Sequence, residues 1–337
     1  MSRTLYIPVT ESSQAGEARR EVARLARALG LDETDTGRAA LVATELAGNL
    51  VKHAAGGGHL LAQPAREEGR AGIELVALDG GPGIGNVAQA LRDGFSTAGT
   101  PGTGLGAVSR VADDFDLHSA SGVGTAVLAR VWAGGRPGQP EPLPVGGVAL
   151  PKPGQEACGD AWVARPGEAG RVWLLVADGL GHGPQAAEAS GEAVRVFAAA
   201  LPSTPADALE RMHGALRGTR GAAASVAEVD PARGVVRFAG VGNVAAAVVV
   251  AGGASQSLVS HNGIVGHEMR KVQEFEYRFP PGALLVLCSD GVGTRWTLDR
   301  YPGLAARDPL LVAGVLLRDF ARGTDDATVA VLRAAAP

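Results

Sequence analysis

Apolar and polar residues follow two different periods along this chain. Small or apolar residues recur every three or four positions over 15–29 and again over 35–54, which is the spacing of a helix with one buried face. Compact apolar runs at 4–9, 72–79 and 125–132 instead predict strands. The first part of the chain is therefore predicted to combine helices with a sheet.

Beyond residue 147 the apolar runs are short, and strands dominate the prediction. Six runs are predicted as strands: RVWLLVAD, ASVAEVD, GVVRFAGVG, AAAVVVAG, ALLVLCSD and ATVAVLR. Helical spacing appears at 184–201, 205–217 and 308–322. Successive strands with few helices between them indicate an α+β sandwich.

A proline- and glycine-rich stretch separates these two regions. Residues 134–147 hold four prolines and five glycines and almost no apolar side chain to bury. We therefore predict a domain at 1–133, a linker at 134–147 and a second domain at 148–337. Two domains also fit a chain of 337 residues, since single cores rarely grow beyond about 300 residues.

Composition and charge narrow the class of protein. A hydrophobic content of 46% with 20% charged residues is ordinary for a soluble globular protein. The net charge of −4 gives no electrostatic reason to expect nucleic acid or an anionic membrane as partner. The N-terminus lacks the pattern of a secretory signal, and two cysteines, Cys158 and Cys288, fit a reducing compartment. The sequence thus predicts a cytoplasmic protein.

One short pattern occurs three times. Residues 75–83 read LVALDGGPG, 175–183 read LVADGLGHG and 285–293 read LVLCSDGVG. In each, an apolar run leads into Asp-Gly, so that a carboxylate is followed by glycine. Asp-Gly is also a common turn signal, so a plain turn is the alternative at each position. The surrounding residues differ each time, which argues against three copies of one site.

Three motifs in the first domain point to a nucleotide. In ATELAGNLVKHA (43–54), Glu45 and Asn49 share one face of a predicted helix, where they could act as base and magnesium ligand. Asp79 ends a predicted strand, where its carboxylate could accept a hydrogen bond from an adenine amino group. The glycine-rich loop within 96–115 runs into a helix, an arrangement that cradles phosphates with backbone N–H groups. A solvated helix face and ordinary turns are the alternatives.

In this order, the motifs resemble the ATPase domain shared by gyrase, Hsp90, histidine kinases and MutL (the GHKL class). The compact form, with TELAGNLVKHA and DDFDLHSASGVGTAV, is similar to the anti-sigma-factor kinases, and in particular to the RsbT type. The resemblance covers about residues 1–133 and implies an α/β sandwich that binds ATP and Mg²⁺. It makes Glu45 the base, Asn49 the magnesium ligand and Asp79 the adenine contact. The other implied nucleotide contacts are Gly81, Gly83, Gly102, Gly104, Gly106 and Thr125.

Two features depart from related families. The lid lacks an arginine that some anti-sigma-factor kinases carry, which leaves transition-state charge stabilisation without an assigned residue and Arg19 and Arg20 as candidates. The chain also shows no helix with a phosphoacceptor histidine, which argues against a sensor histidine kinase.

Carboxylates recur at predicted strand ends in the second domain. They are Asp160, Asp178, Asp290, Asp325 and Asp326. Hard oxygen ligands in this number suit Mg²⁺ or Mn²⁺, and no His/Cys set accompanies them that would favour zinc. Two such ions about 3.5–4 Å apart could activate a bridging water for in-line attack on a phosphoryl group.

The motif order GD, ADGLGHG, GVGN, SDGV, DDATV resembles the SpoIIE-type branch of the type 2C protein phosphatases, and most of all the RsbX type. The resemblance covers about residues 148–333 and implies an αββα sandwich with two metal ions. No arginine that would clamp the phosphate is evident in the sequence, as expected for the bacterial branch.

This second resemblance also implies a role for each carboxylate. Asp178 would bridge both ions and serve catalysis, and the Gly179 carbonyl would join one of them. Asp290 and Asp325 would complete the other ion's ligand set. Asp160 would bind peripherally or through water.

Four further residues admit two interpretations. Asp326 is the alternative to Asp325 as a ligand. His182 is a candidate general acid, although a residue that only shapes a glycine turn is the simpler interpretation. Cys158 and Cys288 each lie two residues before a proposed ligand and could make the centre redox-sensitive. Buried thiols that pack as small apolar groups are the simpler interpretation.

Together the two halves predict a bifunctional regulator of a bacterial partner-switching pathway of the stressosome or sigma-factor type. An ATP-dependent Ser/Thr kinase domain and a metal-dependent phosphoserine/phosphothreonine phosphatase domain would act on STAS-domain proteins of the RsbS/RsbR kind. A sigma factor or a downstream phosphatase is a further candidate partner, and an oligomer is compatible with the sequence. The alternative is a phosphatase alone, whose N-terminal domain binds ATP and sequesters a sigma factor or STAS partner. A metabolic phosphatase is disfavoured, because no insertion builds a small-molecule pocket.

Overall fold

The computed structural model divides the chain into two compact units. They comprise Met1–Pro142 with Tyr301–Arg318, and Leu143–Arg300 with Asp319–Pro337. The residues described are 4–54, 56–67, 69–91, 104–136, 145–250, 255–270 and 272–334. The first unit takes in a segment from the C-terminal part of the chain, which the sequence pattern did not indicate.

The first unit is built on a five-stranded antiparallel sheet. Its strands are β1 (Leu5–Val9), β2 (Gly58–Glu67), β3 (Arg70–Asp79), β4 (Asp114–Ala120) and β5 (Gly124–Trp132), in the spatial order β1-β2-β3-β5-β4. Its first four helices are α1 (Ser12–Ala28), α2 (Glu33–His53), the short α3 (Val87–Ala90) and α4 (Gly104–Val111).

Helices α1, α2 and α4 pack against one face of this sheet. Val22, Leu46 and Val108 of the helices share a buried core with Leu75 of β3 and Val127 of β5. Because side chains alternate along a strand, the intervening residues of β3 and β5 point to the opposite face.

The second unit contains two five-stranded antiparallel sheets. Its strands are β6 (Val145–Leu150), β7 (Asp160–Pro166), β8 (Val172–Gly179), β9 (Ala222–Asp230), β10 (Val235–Val241), β11 (Ala245–Val249), β12 (Ser255–Ser257), β13 (Phe275–Arg278), β14 (Leu284–Cys288) and β15 (Ala327–Arg333). The sheet orders are β13-β10-β9-β8-β7 and β12-β11-β14-β15-β6. The first three residues of β6 fall within the stretch predicted as linker.

Two apolar cores organise this unit. Leu174 of β8 and Phe238 of β10 meet Leu285 of β14 between the two sheets. Leu175, the next residue of β8, points the other way and packs with Leu209 in the layer formed by α5 (Pro184–Ala199) and α6 (Pro205–Ala215). The predicted fold class, a mixed α+β chain of two sandwich domains, is confirmed.

Helix α7 (Pro309–Phe320) carries the chain out of the first unit, which ends at Arg318. Every residue from Pro309 to Leu317 is buried, which is typical of a helix without a solvent face. Within the first unit, a Cβ added at Gly314 would lie 3.3 Å from Leu78 and 3.5 Å from Val76 of β3. Helix α7 therefore covers the sheet face opposite α1 and α2.

Among the described residues, none of the helices has the length and apolar character required to cross a bilayer.

Candidate nucleotide site and candidate metal centre

Helix α2 presents Glu45 and Asn49 one turn apart. Both are half-buried, and the Nδ2 of Asn49 is buried without a hydrogen-bond partner among the described residues. The first residue of α4, Gly104, approaches this amide so closely that an added Cβ would lie 2.9 Å from Asn49 Oδ1. A buried amide without a partner is costly, so a polar ligand at this point would satisfy it.

Asp79 ends β3 and lies directly opposite Thr125 of β5 in the sheet register. Its Oδ1 accepts a hydrogen bond from the Gly81 N–H at 2.8 Å. Burial raises the pKa of the Asp79 carboxyl above its usual range, while N–H donors from Gly81 and Thr125 and the charge of Arg318 act to lower it. The structure thus brings Asp79, Gly81 and Thr125 together.

The other glycines of the predicted nucleotide site have different surroundings. Gly83 has a φ of +75°, and a Cβ there would lie 2.1 Å from the Ala120 carbonyl oxygen, so a side chain does not fit. Gly106 is buried within α4. Gly102 lies outside the described residues.

Asp160 and Asp178 form the centre of the carboxylate cluster in the second unit. They are direct partners across the β7–β8 ladder. Asp160 is 5% exposed, and its Oδ2 has no hydrogen-bond partner among the described residues. Next to Asp178, Gly179 closes β8, and a Cβ there would lie 2.1 Å from the Ala186 carbonyl oxygen.

The charges of this cluster interact strongly. Burial raises the pKa of Asp178, and the nearby negative charges of Asp160, Asp290 and Asp325 raise it further. Burial also raises the pKa of Asp160, with the charge of Asp326 adding to the effect. Carboxylates that destabilise one another's ionised forms are the donor set that a divalent cation neutralises.

Asp290 has a partner that the sequence analysis did not single out. The Asn243 amide donates from Nδ2 to Asp290 Oδ2 at 2.6 Å. Asn243 closes the GVGN motif, so the motif order contained a signal for this residue. Arg322 also lies near, since its charge acts to lower the pKa of Asp290 against the raising effects of burial and Asp325.

Asp325 and Asp326 lie just before β15 but have different surroundings. The Asp326 carboxylate accepts hydrogen bonds from the Lys152 N–H at 2.8 Å and the Gly159 N–H at 2.9 Å. Both of its oxygens are thereby used within the protein. Asp325 is more exposed and accepts a hydrogen bond from the Asp326 N–H at 2.9 Å.

An arginine lies beside the loop that follows Asp178, although the sequence analysis identified no arginine that would clamp the phosphate. The exposed Arg220 places Nη1 3.0 Å from the position of a Cβ on Gly181. The strand-end backbone is fixed here, because the Leu180 N–H donates to the Gly221 carbonyl at 3.0 Å. Arg220 comes from a distant part of the sequence, so no local pattern linked it to this loop.

The cysteines and His182 lie near this cluster. Cys288 is fully buried in β14, and burial raises the pKa of its thiol. Burial also raises the pKa of Cys158, as do the neighbouring Asp160 and Asp326 charges. Thiols with raised pKa values are poor nucleophiles, which favours the packing interpretation. His182 is exposed, and its charge acts to lower the pKa of Asp326.

The side chains of this cluster have the donor atoms that divalent cations prefer, but they are not arranged closely around one point. Within the described residues, no group of three or more His, Cys, Asp or Glu side chains is arranged closely enough to enclose a metal ion. The unpartnered Asp160 oxygen and the mutual repulsion around Asp178 nevertheless fit a cation between them.

Comparison with known proteins assigns both domains to families. Residues 8–131 match the histidine kinase-like ATPase domain, and residues 168–334 match Stage II sporulation protein E (SpoIIE). Serine/threonine-protein kinase RsbT of Bacillus subtilis (strain 168) is 37% identical over 116 residues, which are 34% of this chain and 86% of that protein. The chain belongs to the RsbT family. This RsbT-family chain also carries a SpoIIE-type phosphatase domain, as its motifs predicted.

Solved structures resemble about half of this RsbT-family chain. A protein described as "The bacterial stressosome: a modular system that has been adapted to control secondary messenger signaling" is 30% identical, with a TM-score of 0.51. The match covers 56% of this chain and 98% of that protein. RsbX in complex with magnesium is 21% identical, with a TM-score of 0.49 over 56% of this chain and 92% of RsbX.

The family matches confirm the predicted enzyme class. This RsbT-family chain combines a protein-serine/threonine phosphatase domain of the 2C type with an RsbT-like kinase domain. These two domain types imply ATP and divalent metal ions in general.

Proposed function

We propose that the chain is a bifunctional regulator in a bacterial partner-switching pathway. Its kinase domain transfers phosphate from ATP to Ser or Thr of STAS-domain proteins, and its phosphatase domain removes phosphate from such proteins. The observation that carries the proposal is the pairing of Asp160 with Asp178 across the β7–β8 ladder, where the charges of Asp290 and Asp325 also act on Asp178. The similarity to RsbT and to a stressosome protein supports the choice of pathway.

In the kinase half, ATP and Mg²⁺ would bind between α2, the start of α4 and the ends of β3 and β5. Asn49 would ligate Mg²⁺, which would satisfy its buried amide group, and Glu45 one turn earlier would accept the proton of the attacking hydroxyl. Asp79 would accept a hydrogen bond from the adenine amino group beside Thr125. The close approach of Gly104 to Asn49 supports a phosphate position beside both residues, at the start of α4. The other proposed phosphate contacts are Gly102 and Gly106.

In the phosphatase half, two Mn²⁺ or Mg²⁺ ions would be held by Asp178, the Gly179 carbonyl, Asp290 and Asp325. When bound, such ions lower the pKa of a water and neutralise the phosphoryl oxygens. Asn243 orients the Asp290 carboxylate through its hydrogen bond. Asp160 would bind peripherally, and its unpartnered oxygen supports that role.

Arg220 is our candidate for binding the substrate phosphoryl group. Its guanidinium lies beside Gly181 in the loop that follows Asp178 and has no assigned partner among the described residues. Planar guanidinium groups bind phosphate oxygens in pairs, which suits an exposed arginine at the edge of a metal centre.

Assays against the STAS proteins encoded near the gene test this proposal. We expect transfer of labelled phosphate from ATP to a STAS protein, and release of phosphate from the phosphorylated form with Mn²⁺ present. Glu45→Ala should abolish only transfer, and Asp178→Asn should abolish only release. Glu210→Gln, an exposed carboxylate on α6, is the matched control and should retain both activities.

Two results would change the proposal. Release without transfer in the wild-type protein would favour a phosphatase whose N-terminal unit binds ATP and sequesters a sigma factor or STAS partner. Absence of both transfer and release in the wild-type protein would overturn the bifunctional assignment altogether.

A further inference from the structure

Arg318, near the C-terminal end of α7, joins two strand ends of the first unit. Its Nη1 donates to the Asp79 carbonyl oxygen at 2.5 Å, and its Nη2 donates to the Val123 carbonyl oxygen at 3.0 Å. Asp79 ends β3, and Val123 lies in the turn that leads into β5. One guanidinium thus fixes both segments that carry Asp79 and Thr125.

Gly124 provides an independent sign that this contact is built into the fold. Its φ is +92°, and an added Cβ would lie 2.0 Å from the Asp79 carbonyl oxygen and 2.9 Å from Arg318 Nη1. Any side chain at this position would collide with the backbone and would displace the guanidinium. The sequence therefore leaves the space that Arg318 occupies.

The segment that carries Arg318 is anchored at its other end as well. Asp308 accepts hydrogen bonds from Arg130 of β5 at 2.8 and 3.2 Å. The Asp116 carboxylate of β4 accepts from the Asp308 N–H at 2.7 Å and from Arg307 at 3.2 Å. Arg318 therefore extends from a helix whose start is held by part-buried ion pairs and hydrogen bonds.

We infer that Arg318 is a positioning residue for nucleobase recognition by Asp79. The inference rests on the proposed function, in which Asp79 accepts a hydrogen bond from adenine. Holding the Asp79 and Val123 carbonyls fixes the backbone from which the Asp79 carboxylate projects. A segment within the SpoIIE-matched residues 168–334 thereby completes the ATP-binding unit.

The charge of Arg318, like its hydrogen bonds, favours acceptance of a hydrogen bond by the Asp79 carboxylate. It lowers the pKa of Asp79 against the raising effect of burial, so the ionised carboxylate that accepts from an amino group is favoured. Adenine presents the N6 amino donor at this edge, whereas guanine presents the O6 acceptor, which a carboxylate repels. Selectivity between ATP and GTP is therefore the property that Arg318 should control.

The test measures dissociation constants of ATP and GTP, with Mg²⁺, for the full-length chain. We expect Arg318→Ala to weaken ATP binding about tenfold while leaving GTP binding within about twofold, because a charge-assisted contact to the adenine-reading strand end is lost. Arg24→Ala removes an exposed guanidinium of α1, which pairs with Glu21, and should preserve the ATP preference. Arg318→Lys can still reach one carbonyl, so its dissociation constant for ATP should lie between those of the wild type and Arg318→Ala. This variant also provides a test if the alanine variant fails to fold.

Each remaining outcome has a defined meaning. Equal weakening of ATP and GTP by both Arg318 variants would reduce Arg318 to a purely structural residue and overturn the inference, as would unchanged binding. Asp79→Asn tests the adenine contact of Asp79 separately from the positioning role of Arg318. If the wild-type protein does not prefer ATP, or if Asp79→Asn keeps that preference, the proposed adenine contact fails and the inference falls with it.

Discussion

The neighbouring carboxylates of Asp325 and Asp326 differ in their hydrogen bonds to the backbone, and we therefore expect them to have different roles. Asp326 is 2% exposed and uses both oxygens to hold the Lys152 and Gly159 amides. Asp325 keeps more of its carboxylate available and contributes to the electrostatic field at Asp178. At the scale of single residues, hydrogen-bond partners therefore separate a structural carboxylate from a candidate ligand.

Substitution of these two residues should have separable effects. In Asp326→Asn an amide donor would face a backbone N–H, which costs about 1–3 kcal/mol and should lower the melting temperature of the second unit by several degrees, roughly 2–10 °C. Asp325→Asn should leave the melting temperature nearly unchanged and raise the Mn²⁺ concentration needed for half-maximal phosphatase activity. Calorimetry and a metal titration of activity check the pair. A higher Mn²⁺ requirement in Asp326→Asn, at unchanged stability, would identify Asp326 as the ligand instead.

At the scale of elements, glycines decide how closely α4 can approach α2. Gly104 abuts the Asn49 side chain, whereas Gly48, on the same helix as Asn49, has nothing within 4 Å of an added Cβ. The two positions therefore form a matched pair for one substitution.

Alanine at these positions should give opposite results. Gly104→Ala places a methyl group 2.9 Å from Asn49 Oδ1, so we expect ATP binding to weaken about tenfold or more. Gly48→Ala should keep ATP binding and stabilise α2 by up to about 1 kcal/mol, since alanine is the better helix former. Equilibrium binding and thermal unfolding measure both effects. Normal ATP affinity in Gly104→Ala would remove Gly104 from the proposed nucleotide site.

Helix α7 is attached to the sheet by a part-buried network of charged side chains. Arg130 contacts Glu74 at 2.7 Å and Asp308 at 2.8 Å. Although burial acts to lower it, the two carboxylates hold the pKa of the Arg130 guanidinium above its usual range. Removing one partner of such a network leaves a buried charge incompletely compensated.

Asp308→Asn should therefore loosen α7 selectively. We expect amide hydrogen exchange within residues 309–318 to accelerate about tenfold while exchange in α1 and α2 stays unchanged. Glu276→Gln, which breaks an exposed ion pair with Arg233, serves as control and should change neither region. Unchanged exchange in α7 would show that apolar packing alone holds this helix.

At the scale of the whole molecule, the first unit is assembled from two distant parts of the sequence. Residues 301–318 cover a sheet face that carries Leu61, Val76, Leu78 and Leu128, all buried. A fragment that ends at residue 136 would expose this face. Contiguous apolar surface of this kind promotes self-association.

Truncation should reveal that dependence. We expect fragment 1–136 to self-associate and bind a hydrophobic dye, and fragment 1–136 fused through a flexible linker to residues 301–320 to remain monodisperse with little dye binding. Light scattering coupled to size-exclusion chromatography separates the two. A monodisperse fragment 1–136 without dye binding would show that the sheet face does not need this cover.

Local pattern was sufficient for the elements with clear periods, such as α1, α2 and β8. It missed β2, which contains Pro64, a residue that argues against a strand. In the structure β1 begins with Leu5 opposite Ala62, so Pro64 lies beyond the paired part of that side of β2. The energetic cost of proline in a strand depends on whether another strand pairs with that position. A short run of sequence does not contain that information.

Residues close together in the chain were enough to identify the two families, the order of their motifs and the three Asp-Gly strand ends. The contacts that support those residues became visible only in the folded chain. Asp79 meets Arg318, Asp290 meets Asn243, and Gly181 meets Arg220, although each pair is far apart in sequence. Such pairs arise only when strands and helices are packed, since no local period connects their positions. Packing also assigned the segment 301–318 to the first unit, because the otherwise uncovered face of its sheet is where that apolar helix is buried.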